Sequence, residues 1–222
     1  MHAVICVYLH GFLSSGQSQK GRWLLEKLRI EVDTNQAATA PGDVHPPQVF
    51  KEFLTLTYPI GSPLDSIQAI EAALQPLRAN QNSSLILMGS SMGGYYAQFL
   101  GQKYTLPYIM INPALNPRPI FLENLGAHAN PSTGEKLVID LVYIQQVESF
   151  DVPLLNPKVP AMLLIDEGDE VIDKEWALNL YSNRADTTTE VHLFKGGDHA
   201  FQHMEEAWPL IKAFVAGLEP NV

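Results

Sequence analysis

Short, continuously apolar runs alternate along this chain with stretches in which apolar residues recur every three or four positions. Residues 3–9, 85–88, 108–111 and 161–165 are apolar without a break, which predicts strands covered on both faces. Residues 53–58 alternate and stop at Pro59, and residues 190–194 form one more strand-like run. Helical spacing covers 18–29, then a helix from about 64 with Pro63 in its first turn and a stripe of Ile67, Ile70, Ala73, Leu74 and Leu77. Further helices are predicted up to about 104, over 174–181 and over 204–218. Between 31 and 48, Pro41-Gly42 and Pro46-Pro47 punctuate a segment without period, with one short strand expected at 30–33. Residues 115–157 are rich in Pro, Gly and Asn with only short helical patches, one at 121–125, so they read as a small lid-like insertion over the strand ends.

Strands alternating with helices predict one α/β domain over 1–222, built on a mostly parallel sheet with helices on both faces. Right-handed crossovers place the loops that follow strands along one edge. His10, Ser91, Asn112, Asp169 and His199 each follow a predicted strand and are expected to gather there.

Composition narrows the function classes. With 222 residues, 46% hydrophobic and 17% charged, the chain has the make-up of a soluble globular protein. Lys and Arg number 14 against 24 Asp and Glu, a net charge of −10, and no basic cluster occurs. Nucleic acid and anionic membranes, which are held mainly through basic patches, are therefore not expected partners. No apolar stretch approaches the roughly 18 residues a membrane span requires. The N-terminal run lacks a basic leader region and a cleavage site, and Cys6 is the lone cysteine, so a cytoplasmic protein without disulfides is expected, with Cys6 a buried small hydrophobe.

The chemistry centres on Gly89-Ser90-Ser91-Met92-Gly93, a G-x-S-x-G match that follows an apolar strand and opens a helix. That context defines a nucleophile elbow, and only the frame starting at Gly89 fits, which selects Ser91 over Ser90. A serine hydroxyl needs a base, and the base needs a third group to fix its tautomer. His199, in Gly196-Gly197-Asp198-His199-Ala200-Phe201 after the last strand, is the candidate base. His203 is expected to face outward from the start of the final helix, and His2, His45, His128 and His192 sit in no motif. Asp169 is the preferred acid, because Gly168 permits a sharp turn and Val171-Ile172 can pack back; Asp166, at the strand end, and Asp173, better suited to capping the next helix, are the alternatives. Oxyanion donors are expected from the backbone N–H of Met92, at the positive end of a helix, and of Phe12, after the first strand. His10 could be a ligand, although a His-Gly pair at a strand end mainly shapes its loop.

Six ordered segments, Tyr8 to Phe12 with Ser14-Ser15, Gly89 to Tyr96, Asn112-Pro113-Ala114, Asn130 to Glu135, Gly168 to Val171 and Gly197 to Phe201, together resemble the small bacterial YqiA-like esterases of the α/β-hydrolase superfamily. The resemblance covers nearly the whole chain, which runs longer than that family between Glu31 and Phe53. It implies an α/β-hydrolase fold, Ser91 as nucleophile, Asp169 as acid, His199 as base, Phe12 and Met92 as oxyanion donors, and hydrolysis of carboxylic esters or acyl thioesters without a cofactor. One rival expectation keeps the same residues but has the site cleave a C–C bond or pass an acyl group to an acceptor other than water; another, a binding module without chemistry, predicts a broken triad, whereas this sequence carries all three candidate residues. Pro117, Pro119, Phe121, Leu122, Leu125 and Leu141 of the insertion suit either an acyl chain or packing onto the sheet.

Overall fold

A computed structural model describes residues 3–37, 48–80, 83–181 and 188–218. The first apolar run forms β1 (Ala3–Leu9), followed by α1 (Gln19–Ala37), β2 (Phe50–Leu56), α2 (Pro63–Arg78), β3 (Ser83–Ser90), α3 (Met92–Tyr104) and β4 (Tyr108–Ile111). The insertion contributes α4 (Pro117–Leu122), β5 (Gly126–Ala129), β6 (Lys136–Ile139) and α5 (Leu141–Glu148). The chain then returns through β7 (Ala161–Asp166), α6 (Lys174–Tyr181), β8 (Thr189–Phe194) and α7 (Met204–Ala216).

Six strands form one parallel sheet in the order β2-β1-β3-β4-β7-β8. Both faces are apolar, which explains the unbroken runs in the sequence. Ile5, Val7, Leu87, Met110 and Leu163 meet residues of α2, α3, α5 and α6 on one side. Cys6, Tyr8, Met88, Ile111 and Leu164 meet Leu24 of α1 and Trp208, Ile211 and Phe214 of α7 on the other. The strand order reverses at β1, so the crevice between the ends of β1 and β3 is the switch point where such sheets place ligands. This is the α/β-hydrolase architecture expected from the sequence.

The insertion is bonded to the body of the fold. Its hairpin, β5 antiparallel to β6, presents the Glu135 carboxylate to the N–H groups of Ile60 (3.0 Å) and Gly61 (2.7 Å). Asn130 Nδ2 donates to Ser14 O at 2.8 Å, and the Tyr143 hydroxyl donates to Ile60 O at 3.0 Å. Phe121 and Tyr143 pack edge-on against Phe12, with ring centroids 5.2 and 6.3 Å away.

Three expectations require correction. Residues 30–33 are not a strand but belong to α1. Arg29 pairs with Glu26 and Asp33 along that helix, and Glu31 accepts from Trp208 Nε1 and Lys212 Nζ of α7, so the segment stays helical. The strand expected at 53–58 is instead β2 at Phe50–Leu56, on the edge beside β1: it starts earlier because Phe50 is buried against Phe53 and Trp208, and its pairing ends at Leu56, opposite Leu9 at the end of β1. The hairpin in the insertion replaces what read as irregular chain: Asn130 to Gly134 make its turn, with Gly134 at a φ of +78°. Of the punctuated segment, residues 38–47 lie outside those described, as do His2 and His45.

Candidate active site

β3 ends at Ser90, and Ser91 turns the chain into α3 with a φ of +55°. A non-glycine residue there carries roughly 1–3 kcal/mol of strain, held in place by its surroundings. Ser91 N donates to Ile111 O (3.0 Å), while Ser91 O accepts from Gly94 N (3.0 Å) and Ala114 N (3.1 Å). Glycine is required on either side because backbones touch: a Cβ at Gly89 would lie 2.0 Å from Gly93 O, and one at Gly93 would lie 2.1 Å from Leu9 O.

The structure brings Ser91, His199 and Asp169 together from the ends of β3, β8 and β7. His199 Nε2 lies 3.0 Å from Ser91 Oγ, and His199 Nδ1 lies 2.8 Å from Asp169 Oδ2. Asp169 Oδ1 also accepts from the N–H groups of Val171 (2.8 Å) and Ile172 (3.1 Å), the back-packing turn read from the sequence. Burial works to raise the Asp169 pKa, but the His199 ring and those two amides outweigh it and hold the carboxyl below its ordinary value. With Asp169 accepting at Nδ1, the lone pair on Nε2 faces the Ser91 hydroxyl.

The loop after β1 runs beside the serine: a Cβ at Gly11 would stand 3.2 Å from Ser91 Cβ. Phe12 follows on that loop, and Met92 is the first residue of α3. His10 has only its Nδ1 engaged, and its buried Nε2 has no hydrogen-bond partner among the described residues. It is buried, stacked on Tyr58 with ring centroids 4.1 Å apart, and its Nδ1 bonds Gly11 O at 2.8 Å. Burial first of all pushes its pKa down. A groove of about 250 Å³ opens over Ser91 and His199, walled by Phe12, Ser14, Ser18 and Lys20. Among the described residues, no group of three or more His, Cys, Asp or Glu is placed to hold a metal ion, and no helix is long and apolar enough to cross a membrane.

Asp173 does cap α6, accepting from Trp176 N at 3.0 Å. His128 bonds Asn124 O and His192 faces Glu190, both away from the groove's lining. His203, expected to face outward, instead turns inward: its Nδ1 lies 2.7 Å from Asp166 Oδ1, and the Asp166 side chain is fully buried. Sequence reasoning also missed Lys20, whose Nζ donates to Ala200 O at 2.6 Å, and the use of Asn112, whose Nδ2 donates to Asp198 O at 2.9 Å. For Asn112 the signal was its place after β4 in an Asn-Pro-Ala turn; for Lys20 no local signal exists.

The chain belongs to the uncharacterised protein family UPF0227, the YqiA-like family, whose family model matches residues 5–216. Similar solved structures share its fold. Mouse alpha/beta hydrolase domain-containing protein 10 superposes with a TM-score of 0.64 at 18% identity, over 94% of this chain and 87% of that one. Est1E from Butyrivibrio proteoclasticus gives a TM-score of 0.62 at 17% identity, over 96% and 87%. The Paleococcus ferrophilus monoacylglycerol lipase gives 0.60 at 15% identity, over 96% and 94%.

Proposed function

We propose that this member of UPF0227 is a serine hydrolase that cleaves carboxylic esters or acyl thioesters through an acyl-enzyme. The observation that carries the reading is the unbroken chain from Ser91 Oγ to His199 Nε2 (3.0 Å) and from His199 Nδ1 to Asp169 (2.8 Å), at the switch point of the sheet. The Paleococcus ferrophilus protein, whose name marks it as a lipase, supports it through the shared fold.

In this mechanism Ser91 Oγ attacks the acyl carbon while His199 Nε2 takes its proton, and the buried Asp169 carboxylate stabilises the imidazolium. The N–H groups of Met92 and Phe12 receive the oxyanion, aided by the positive end of α3. His199 then returns its proton to the leaving alkoxide or thiolate. Water, deprotonated by the same imidazole, releases the acid and restores Ser91. Phe12 offers the groove an apolar surface for the acyl part of a substrate, and Phe121 and Tyr143, buried behind it, hold its ring in place.

The test is hydrolysis of short p-nitrophenyl esters and thioesters by wild type and Ser91→Ala. A fall of about 10³-fold or more is expected. Equal rates would remove the proposal, and fluorophosphonate labelling at any residue other than Ser91 would reassign the nucleophile.

A further inference from the structure

The loop that carries His199 rests on a second carboxylate–imidazole pair. Asp166, the last residue of β7, is fully buried and accepts three hydrogen bonds from the segment around His199. His203 Nδ1 donates to Oδ1 at 2.7 Å, and the N–H groups of Gln202 (2.7 Å) and Asp198 (3.3 Å) donate to Oδ2. Asp198 immediately precedes His199, and its carbonyl is held as well, by Asn112 Nδ2 at 2.9 Å. Asn112 Oδ1 in turn accepts from Asp166 N at 2.9 Å, so strand end and loop are locked to one another. The fit is close: a Cβ at Gly197, where φ is +71°, would lie 1.8 Å from Asp166 Oδ2.

Removing a carboxylate from water is costly, and well-packed apolar residues at such a place are often at least as stable. What a carboxylate offers here is two acceptor oxygens and no donor, matched to three converging N–H groups. An asparagine would turn an NH₂ toward one set of those donors. His203 is itself fixed, its ring stacked on Phe194 with centroids 5.3 Å apart and an interplanar angle of 17°.

We propose that Asp166, oriented by His203, is a positioning residue for His199: through the backbone of Asp198 and Gln202 it sets the distance from the imidazole to Ser91. The pair touches neither the His199 ring nor the hydroxyl of Ser91, and its role in turnover rests on His199 being the general base. An imidazole displaced by about 1 Å loses roughly 10²-fold in rate. Asp166→Asn is therefore expected to lower kcat by about that factor per site titrated with fluorophosphonate, with KM within about threefold of wild type. His203→Phe keeps the ring stack and loses the donor, and falls with Asp166→Asn; His203→Gln, which can still donate, retains most of the activity. The Asp166→Asn/His203→Phe double variant falls no further than either single variant, since the two act as a unit.

A purely structural pair would lower the melting temperature and the titratable fraction while leaving kcat per titrated site unchanged, and that result overturns the proposal. The readout that does not depend on turnover is the downfield proton resonance of His199 Nδ1–H in its bond to Asp169. It is expected in wild type and to be shifted or broadened in Asp166→Asn and in His203→Phe. If wild type hydrolyses no ester, the functional reading fails and this resonance alone decides the positioning; an unmoved signal refutes it. If Asp166→Asn does not fold, the contrast between His203→Phe and His203→Gln decides by the same measurements.

Discussion

Gly93→Ala adds one carbon at the most crowded point of the elbow. The new Cβ would stand 2.1 Å from Leu9 O and 2.6 Å from His10 O, where a carbon normally keeps about 3.3 Å from a carbonyl oxygen. Backbone lies on both sides, so no rotamer change relieves the clash, and β1 and α3 must separate by about 1.2 Å. The end of β1 leads to Phe12 and the start of α3 holds Met92 and Ser91, so the displacement falls between the two proposed oxyanion donors. A misplacement of that size is expected to lower kcat/KM on a p-nitrophenyl ester about 10²-fold, or roughly 2.7 kcal/mol of transition-state stabilisation. Overpacking costs a further 1–3 kcal/mol or so of stability, a melting point lower by roughly 2–12 °C. Gly101→Ala is the control: its Cβ would meet the Tyr108 ring at 2.4 Å, at the opposite edge of the sheet. It is expected to lose comparable stability while the folded fraction turns over normally. The reasoning is refuted if folded Gly93→Ala keeps kcat/KM within about threefold of wild type, or if Gly101→Ala loses as much turnover.

Asp169→Asn is expected to lower kcat by roughly 10³–10⁴-fold with little change in KM, because the Val171 and Ile172 amides hold its oxygen and its NH₂ then faces Nδ1, imposing the wrong tautomer; a loss below tenfold contradicts the assigned role. Lys20, half-buried beside Asp198, Asp166 and Asp169, has its pKa lowered from 10.5 to about 8, burial outweighing the carboxylates. The unfolded chain binds more protons between those two values, so the stability of wild type relative to Lys20→Met is expected to rise with pH from about 8 to 10.5, and urea midpoints that differ by the same amount at all pH values refute this. Cys6 lies fully buried in β1 with its thiol pushed up by burial, so native protein is expected to resist iodoacetamide and to be alkylated once only after urea, as read by mass; equal rates in both states contradict the burial.

The strands were legible because both faces of a parallel sheet are covered, which leaves runs such as 85–88 and 161–165 with no polar position. The loops that bring Ser91, Asp169 and His199 together were legible for a different reason: close backbone approach demands Gly89, Gly93 and Gly168, a positive φ against the Asp166 carboxylate demands Gly197, and glycine is visible in a sequence. The extension of α1 was hidden because nothing within 30–37 marks a stop in the sequence, and its residues Glu31 and Asp33 are held by charges and by α7 rather than by an apolar stripe. The hairpin was hidden because four-residue strands such as Gly126–Ala129 carry too few positions to show a period. Asp166 and His203 are separated by 37 residues, and only the β7–β8 register, with Asp166 opposite Phe194, brings them into contact. Pairings of that kind have no local pattern, which is why His203 read as a surface residue.

The bonds from Glu135, Asn130 and Tyr143 to the 14–61 side of the groove have a kinetic corollary. A flap that swings must break its tethers on every cycle, and a substrate then waits for the opening. Here the insertion is tied to Ser14, Ile60 and Gly61 and packs on Phe12, so it is built as masonry rather than as a door. On the proposed function, substrate is expected to reach Ser91 along the groove lined by Gln19 and Lys20 of α1, without the insertion having to open.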